Sequence, residues 1–322
     1  MIKRIALVAL AASSCTVFAQ DDFDESKVKA EEIIYEKPTE WSVYASDEPV
    51  VSFAIKGDDM WYATASGVFC TSVKKRTVQP FKDLGGIPAS DVTSIASDGK
   101  VVVIGGKNGV AVLNGKSFTA YTADKGLPDN GVNAVAVAGG KIWAGTDKGL
   151  ALLAGGKWKT FTTDNGLSHN KVTALMIDPA GKVWVGTMKG ISVYDGSSFK
   201  IYDMKSGLSW NQVKALAYDA RKKTVWAAVG EKDVNSLKEG GEWNTFMDIQ
   251  EGITSIMVDT QSRIWIGSTN GLMKYNGDEW IDDPKKLNVP ASQVFSMYRD
   301  NGGNLYYAAE NGIIRLSNPY PY

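Results

Sequence analysis

The chain is short of the residues most site chemistries need. Its 322 residues include one histidine and two cysteines, and the formal net charge is −1. One imidazole excludes any mechanism that needs two. Two thiols cannot build a disulfide framework or a thiolate metal centre. A charge so near zero gives no electrostatic footprint for nucleic acid or for an anionic membrane. After the N-terminus no run of about 18 apolar residues occurs, so no transmembrane helix is expected. The phosphate-loop, nucleophile-elbow and His-Glu-x-x-His patterns are missing, and no cofactor is expected.

The first segment reads as an address. Lys3 and Arg4 precede the apolar run from Ile5 to Ala12, and Val17-Phe18-Ala19 supplies a cleavage site, so residues 1–19 are expected to be a secretory signal. The competing reading takes Ala12-Ser13-Ser14-Cys15 as a lipoprotein box with Cys15 lipidated, although its usual Leu is missing. Either way the expected location is the periplasm or the exterior of a bacterium. Residues 20–37 are acid-rich and poor in apolar residues, and are expected to be a flexible leader. Cleavage after Ala19 leaves Cys70 alone in Gly67-Val68-Phe69-Cys70, where a small buried hydrophobe is the expected role.

What the chain has is repetition. Lys141-Ile142-Trp143-Ala144-Gly145-Thr146 aligns with Lys182-Val183-Trp184-Val185-Gly186-Thr187 and Arg263-Ile264-Trp265-Ile266-Gly267-Ser268. The same phase recurs at Trp61, Val103, Trp143, Trp184, Trp226, Trp265 and Tyr306, a period of about 41 residues in seven units. A small residue stands two positions after each anchor, and a glycine six positions after it in every unit but the fifth, which has Lys232. Each unit reads as four short strands, which predicts an all-β, seven-bladed propeller over residues 38–322. The seventh unit lacks an outer strand, and Trp41-Ser42-Val43-Tyr44 is expected to supply it and close the ring.

Leu167-Ser168-His169-Asn170-Lys171-Val172 and the following residues through Gly190 resemble the two-component regulator propeller repeat, with weaker copies at 127–149 and 208–226. The resemblance covers about residues 41–316. It implies extracytoplasmic ligand sensing coupled to a membrane histidine kinase, often in polysaccharide use. The kinase, the membrane helix and the immunoglobulin-like domain of that arrangement are absent from this sequence.

Against this frame the irregular residues are the candidates. Nine of the ten tryptophans recur in blade phase, and Trp210 is the one left over. It lies with Asn211 and Gln212 in a loop from an outer strand to the next inner strand. Such loops gather at the channel mouth, where an exposed indole stacks on a sugar or anchors a protein. His169 and Asn170, and Asp129 and Asn130, occupy corresponding loops. The fifth unit replaces its Gly-containing connection with Gly230-Glu231-Lys232-Asp233, adding Glu231 and Asp233. The Asp-x-x-Gly turns at Asp178 and Asp259 offer one carboxylate each and are expected to be hairpins rather than Ca²⁺ sites.

The expected function is a secreted, non-catalytic, monomeric binding or scaffold propeller that takes a glycan or a protein at the channel mouth. Two alternatives stand beside it. One is a detached sensor half serving a separate membrane kinase. The other is a carboxylate-based lyase or hydrolase acting on polysaccharide. The streptogramin-lyase type of propeller resembles a site with paired His and a metal, which His169 alone cannot supply.

Overall fold

Inner-strand residues that are apolar on both faces need cover on both sides, and the chain provides it by wrapping seven sheets around one axis. The computed structural model describes residues 41–316 apart from 47, 73–77, 248, 250–251, 283–286, 288–291, 301 and 311. The expected signal and leader lie outside the described residues. Seven four-stranded antiparallel sheets form a ring, a seven-bladed β-propeller. Blade four shows the pattern: inner strand Val172–Ile177, then Val183–Thr187, Gly190–Tyr194 and the outer strand Phe199–Tyr202. Blade five follows with Val213–Asp219, Thr224–Val229, Asp233–Lys238 and Trp243–Phe246.

The ring closes as the sequence predicts. Trp41–Ala45 is the outer strand of blade seven and pairs with Gly312–Leu316, Trp41 opposite Leu316 and Ala45 opposite Gly312. The first and last strands of the ring therefore share one sheet, which removes an exposed edge.

The recurrent small residue has a steric reason. A Cβ at Gly105 would come within 2.7 Å of Val132, the first inner-strand residue of the next blade. Gly186 stands in the same relation to Val213, also at 2.7 Å, and Gly267 to Val294. At these three positions only hydrogen leaves room for adjacent blades to approach this closely.

A second repeated device was not visible in the sequence. In blades two to seven the register slips between the first and third inner-strand residues, which marks a bulge at the second. The bulge aims the second side chain at the next blade. Thr93 Oγ1 donates to the Val132 carbonyl at 2.6 Å, Asn133 Nδ2 to Val172 at 2.9 Å, Thr173 Oγ1 to Val213 at 2.6 Å and Thr254 Oγ1 to Val294 at 2.6 Å. Blade five has Lys214 at this position, and its Nζ turns to Glu231 at 3.0 Å instead.

The ring has two unlike faces. One, the loop face, carries the outer-to-inner loops and the connections between second and third strands. The other, the turn face, carries the two hairpin turns of each blade. Asp178 and Asp259 are hairpin residues on the turn face. Each carboxylate accepts from the backbone N–H four residues on and from the indole Nε1 six residues on, Trp184 and Trp265, both at 3.1 Å. Among the described residues no group of three or more metal-ligating side chains converges.

Candidate functional site

Three loops of one design build the loop face between blades two and five. Each folds through a one-turn 3₁₀ segment, at Ala123–Lys125, Thr163–Asn165 and Met204–Ser206, closed by a left-handed glycine. An asparagine seven residues after the segment's start clamps it. Asn130 Oδ1 accepts from the Ala123 N–H at 2.7 Å, Asn170 from Thr163 at 2.8 Å and Asn211 from Met204 at 2.9 Å. The three asparagines therefore have their carbonyl oxygens committed to holding their own loops.

The residue before each clamp differs: Asp129, His169 and Trp210. Asp129 lies 3.4 Å from the Lys148 ammonium. His169 accepts the Lys171 N–H on Nδ1 at 3.0 Å, which places the imidazole proton of its neutral form on Nε2. Trp210 is 54% exposed. Its ring lies on Gly230, where a Cβ would come within 2.7 Å of the indole Cγ and Cδ1. The backbone beside it is pinned on both sides. Ser209 donates its N–H and its hydroxyl to buried Asn235 of the third strand, at 3.2 and 3.1 Å. The Asn211 carbonyl accepts from Gly190 at 2.7 Å, and the Gln212 carbonyl from Gly230 at 2.8 Å.

The fifth-blade irregularity thus sits under the unmatched tryptophan. Glu231 is exposed and paired with Lys214, while Asp233 is buried as the first residue of the third strand. The structure brings Trp210, Gln212 and Glu231 to the same corner of blade five. His169 with Asn170, and Asp129 with Asn130, occupy equivalent places on blades four and three. Asp91, Asp129, Asp147 and Glu231 on this face each lie within 3.5 Å of a lysine ammonium.

Two exposed methionines escape a reading based on polar and aromatic residues. Met204 is in the Trp210 loop, at the position held by Ala123 and Thr163 in the loops before it. Met247 follows the outer strand of blade five, and Ile249 two residues later donates to the Lys232 carbonyl at 2.9 Å. Met204, Trp210 and Met247 are each more than half exposed. Phase comparison with Ala123 and Thr163 could have flagged Met204.

The cavities open elsewhere. On the turn face a groove of about 460 Å³ lies between blades four and five, and a smaller one of about 360 Å³ between blades three and four. The turn-face end of the channel holds about 510 Å³ among Val135, Ala136, Leu175, Met176, Tyr218 and Arg299. In the larger groove burial raises the Tyr218 phenol above its ordinary value, and the Asp178 and Glu239 carboxylates add to this. Asp195 is held well below the usual carboxylate range by the backbone N–H groups of Ser198 and Ser197.

Residues 166–189 match a family model described as Two component regulator propeller. No curated protein matches the sequence. Among solved structures the chain is similar to the extracellular domain of a hybrid two component system from B. thetaiotaomicron, with TM-score 0.72 and 19% identity over 87% of this chain and 41% of that one. It thus spans about two fifths of the length of that domain. It is also similar to a streptogramin B lyase, with TM-score 0.69 and 13% identity over 87% of this chain and 97% of the other. A third likeness is to YCF48 bound to D1 peptide, with TM-score 0.66 and 14% identity over 87% and 97%. At these identities the likeness is one of fold.

Proposed function

We propose that the chain is a non-catalytic recognition propeller that docks a partner protein through the apolar corner of blade five. The observation that carries this reading is Trp210, half exposed yet held on a loop pinned through Ser209, Asn211 and Gln212. A rigid exposed indole loses little conformational freedom on binding, which is what an interface anchor requires. Met204 and Met247 extend the surface with adaptable apolar side chains, which favour a protein over a sugar. The pairing of Asp129 and Glu231 with lysines, and the single imidazole, weigh against acid–base chemistry on this face.

The family match favours one specific partner class as a second reading, in which the propeller is a detached extracytoplasmic sensor and its partner a membrane kinase. Both readings place the mature chain outside the cytoplasm, as a monomer before docking. The test is affinity capture from an extracytoplasmic extract of the source cells, with the wild-type chain beside Trp210→Ala and a Met204→Ala, Trp210→Ala double variant, together with a glycan array. The expected result is a protein retained by wild type and lost from both variants. Capture unchanged by both variants, or a glycan signal that alone depends on Trp210, overturns the proposal.

A further inference from the structure

At the turn-face end of the channel the repeat is broken at two places that line one cavity. The inner-strand residue paired with the position before each anchor is apolar in four blades, as Ile55, Val137, Ile177 and Val258. Blade two has Ser97 there. Blade five has Tyr218 and blade seven has Arg299. The cavity of about 510 Å³ takes its lining from blades two, three, four, five and seven, which puts it on the axis of the ring. Tyr218 and Arg299 both line it.

The rest of the wall is largely apolar. Val135, Ala136, Leu175 and Met176 contribute side chains with no hydrogen-bonding group, apart from the weak thioether. Ala138, also on the wall, stands where five other blades carry an aspartate. Among the described residues Asp178 is the one carboxylate on the wall, and it accepts from the Lys182 backbone and the Trp184 indole. Asp300, next to Arg299 in the chain, accepts from Asn304 and the Tyr306 hydroxyl. Among the described residues neither the Arg299 guanidinium nor the Tyr218 hydroxyl has a hydrogen-bond or ion-pair partner. Burial raises the Tyr218 phenol above its ordinary value, so it keeps its proton at neutral pH. A fixed cation and a hydroxyl donor thus face an apolar wall with nothing of the protein to bind.

We propose that the turn-face end of the channel binds a small monocarboxylate with an apolar body. The carboxylate takes a forked pair of N–H groups from Arg299 and the hydroxyl of Tyr218, while an aliphatic or aromatic body lies along Val135, Leu175 and Met176. The volume is in the range of small-ligand sites. An alcohol of the same length would leave the guanidinium without its counter-charge. This site is on the face opposite Trp210 and does not depend on the docking reading.

The experiment is isothermal titration calorimetry of the full chain with octanoate, with 1-octanol and acetate as controls for the charge and for the apolar body. Octanoate is expected to bind, more weakly as salt is raised, and about tenfold or more tighter than either control. Arg299→Gln is expected to lose about tenfold or more in affinity, and Tyr218→Phe about threefold or more. Ala136→Phe, which fills the cavity, is expected to abolish binding while the fold persists by circular dichroism. Trp210→Ala is expected to leave binding unchanged. The proposal fails if octanoate does not bind, if 1-octanol binds equally, or if Arg299→Gln binds as wild type. It also fails if a tetrapeptide ending in leucine with a free carboxylate binds and octanoate does not, which would assign the cavity to a protein C-terminus.

Discussion

Gly230 and Trp210 are matched to each other across the corner of blade five. Gly230 has φ +58°, and any Cβ there would come within 2.7 Å of the indole it supports. The break in the repeat and the extra tryptophan are therefore one feature, since the ring needs the bare backbone of Gly230 to lie on. Gly230→Ala is expected to displace the indole and to add the cost of a left-handed alanine, about 1–2 kcal/mol. Thermal unfolding would show the lower midpoint. The variant should also reproduce the capture loss of Trp210→Ala; normal capture would separate the two residues.

Blade spacing makes a second test. Gly186→Ala forces a methyl against Val213 Cγ1 and is expected to destabilise the chain by about 1–3 kcal/mol in denaturant titration. Gly196→Ala, where a Cβ meets open space, has only its φ of +106° to contend with and should cost less. Equal losses at the two positions would remove the steric account of the repeat's small residue.

The turn-face carboxylates predict an asymmetry between blades. Asp178 reaches the indole six residues on, whereas Asp219 is seven residues from Trp226. That one-residue insertion leaves Trp226 Nε1 without a partner while Asp219 accepts from Arg221, Lys222 and Ser262 instead. Trp184→Phe should therefore cost about 1–3 kcal/mol more than Trp226→Phe, since only the former strands a buried carboxylate oxygen. Paired urea titrations measure the difference, and equal costs would contradict it.

Ring closure predicts the effect of removing residues 1–45. The seventh blade would keep three strands and expose the edge Gly312–Leu316. The shortened chain is expected to unfold at lower temperature and to associate, read by light scattering. A monodisperse chain of unchanged midpoint would show that the closing strand is dispensable.

Cys70 gives the pH test. Burial pushes its thiol up to about 11, and the nearby Asp59 carboxylate adds to the effect. The folded value is raised, so the stabilisation is fully present below the unfolded value near 9 and is lost as pH rises from 9 toward 11. In a Cys15→Ser background, thiolate absorbance should titrate near 11 in the folded chain and near 9 in guanidinium. Cys70 is half-buried rather than fully buried as the sequence suggests, and a folded midpoint at or below the unfolded one would contradict even that partial burial.

Much of this molecule could be read along the chain because a propeller writes its packing into every unit. The anchors from Trp61 to Tyr306, the glycines facing the next blade's valine and the displaced strand at Trp41 are each a local spacing with a single structural solution. The bulge at Thr93 and its equivalents was not legible, since Thr, Asn and Lys share no hydrophobic pattern and the carbonyls that Thr93, Asn133, Thr173 and Thr254 reach lie about 40 residues away. Asn130, Asn170 and Asn211 looked like lining because an exposed asparagine and a loop clamp are the same letter. Trp210 stood out as a large residue with no phase partner.

Binding by a captured partner at equilibrium tests the central claim most directly. Its dissociation constant should be measured for the wild-type chain and for Trp210→Ala by surface plasmon resonance. An anchoring tryptophan predicts a loss of about 30-fold or more, the change expected for an interface hot spot of about 2 kcal/mol. Equal dissociation constants for the two chains would contradict docking at the corner of blade five.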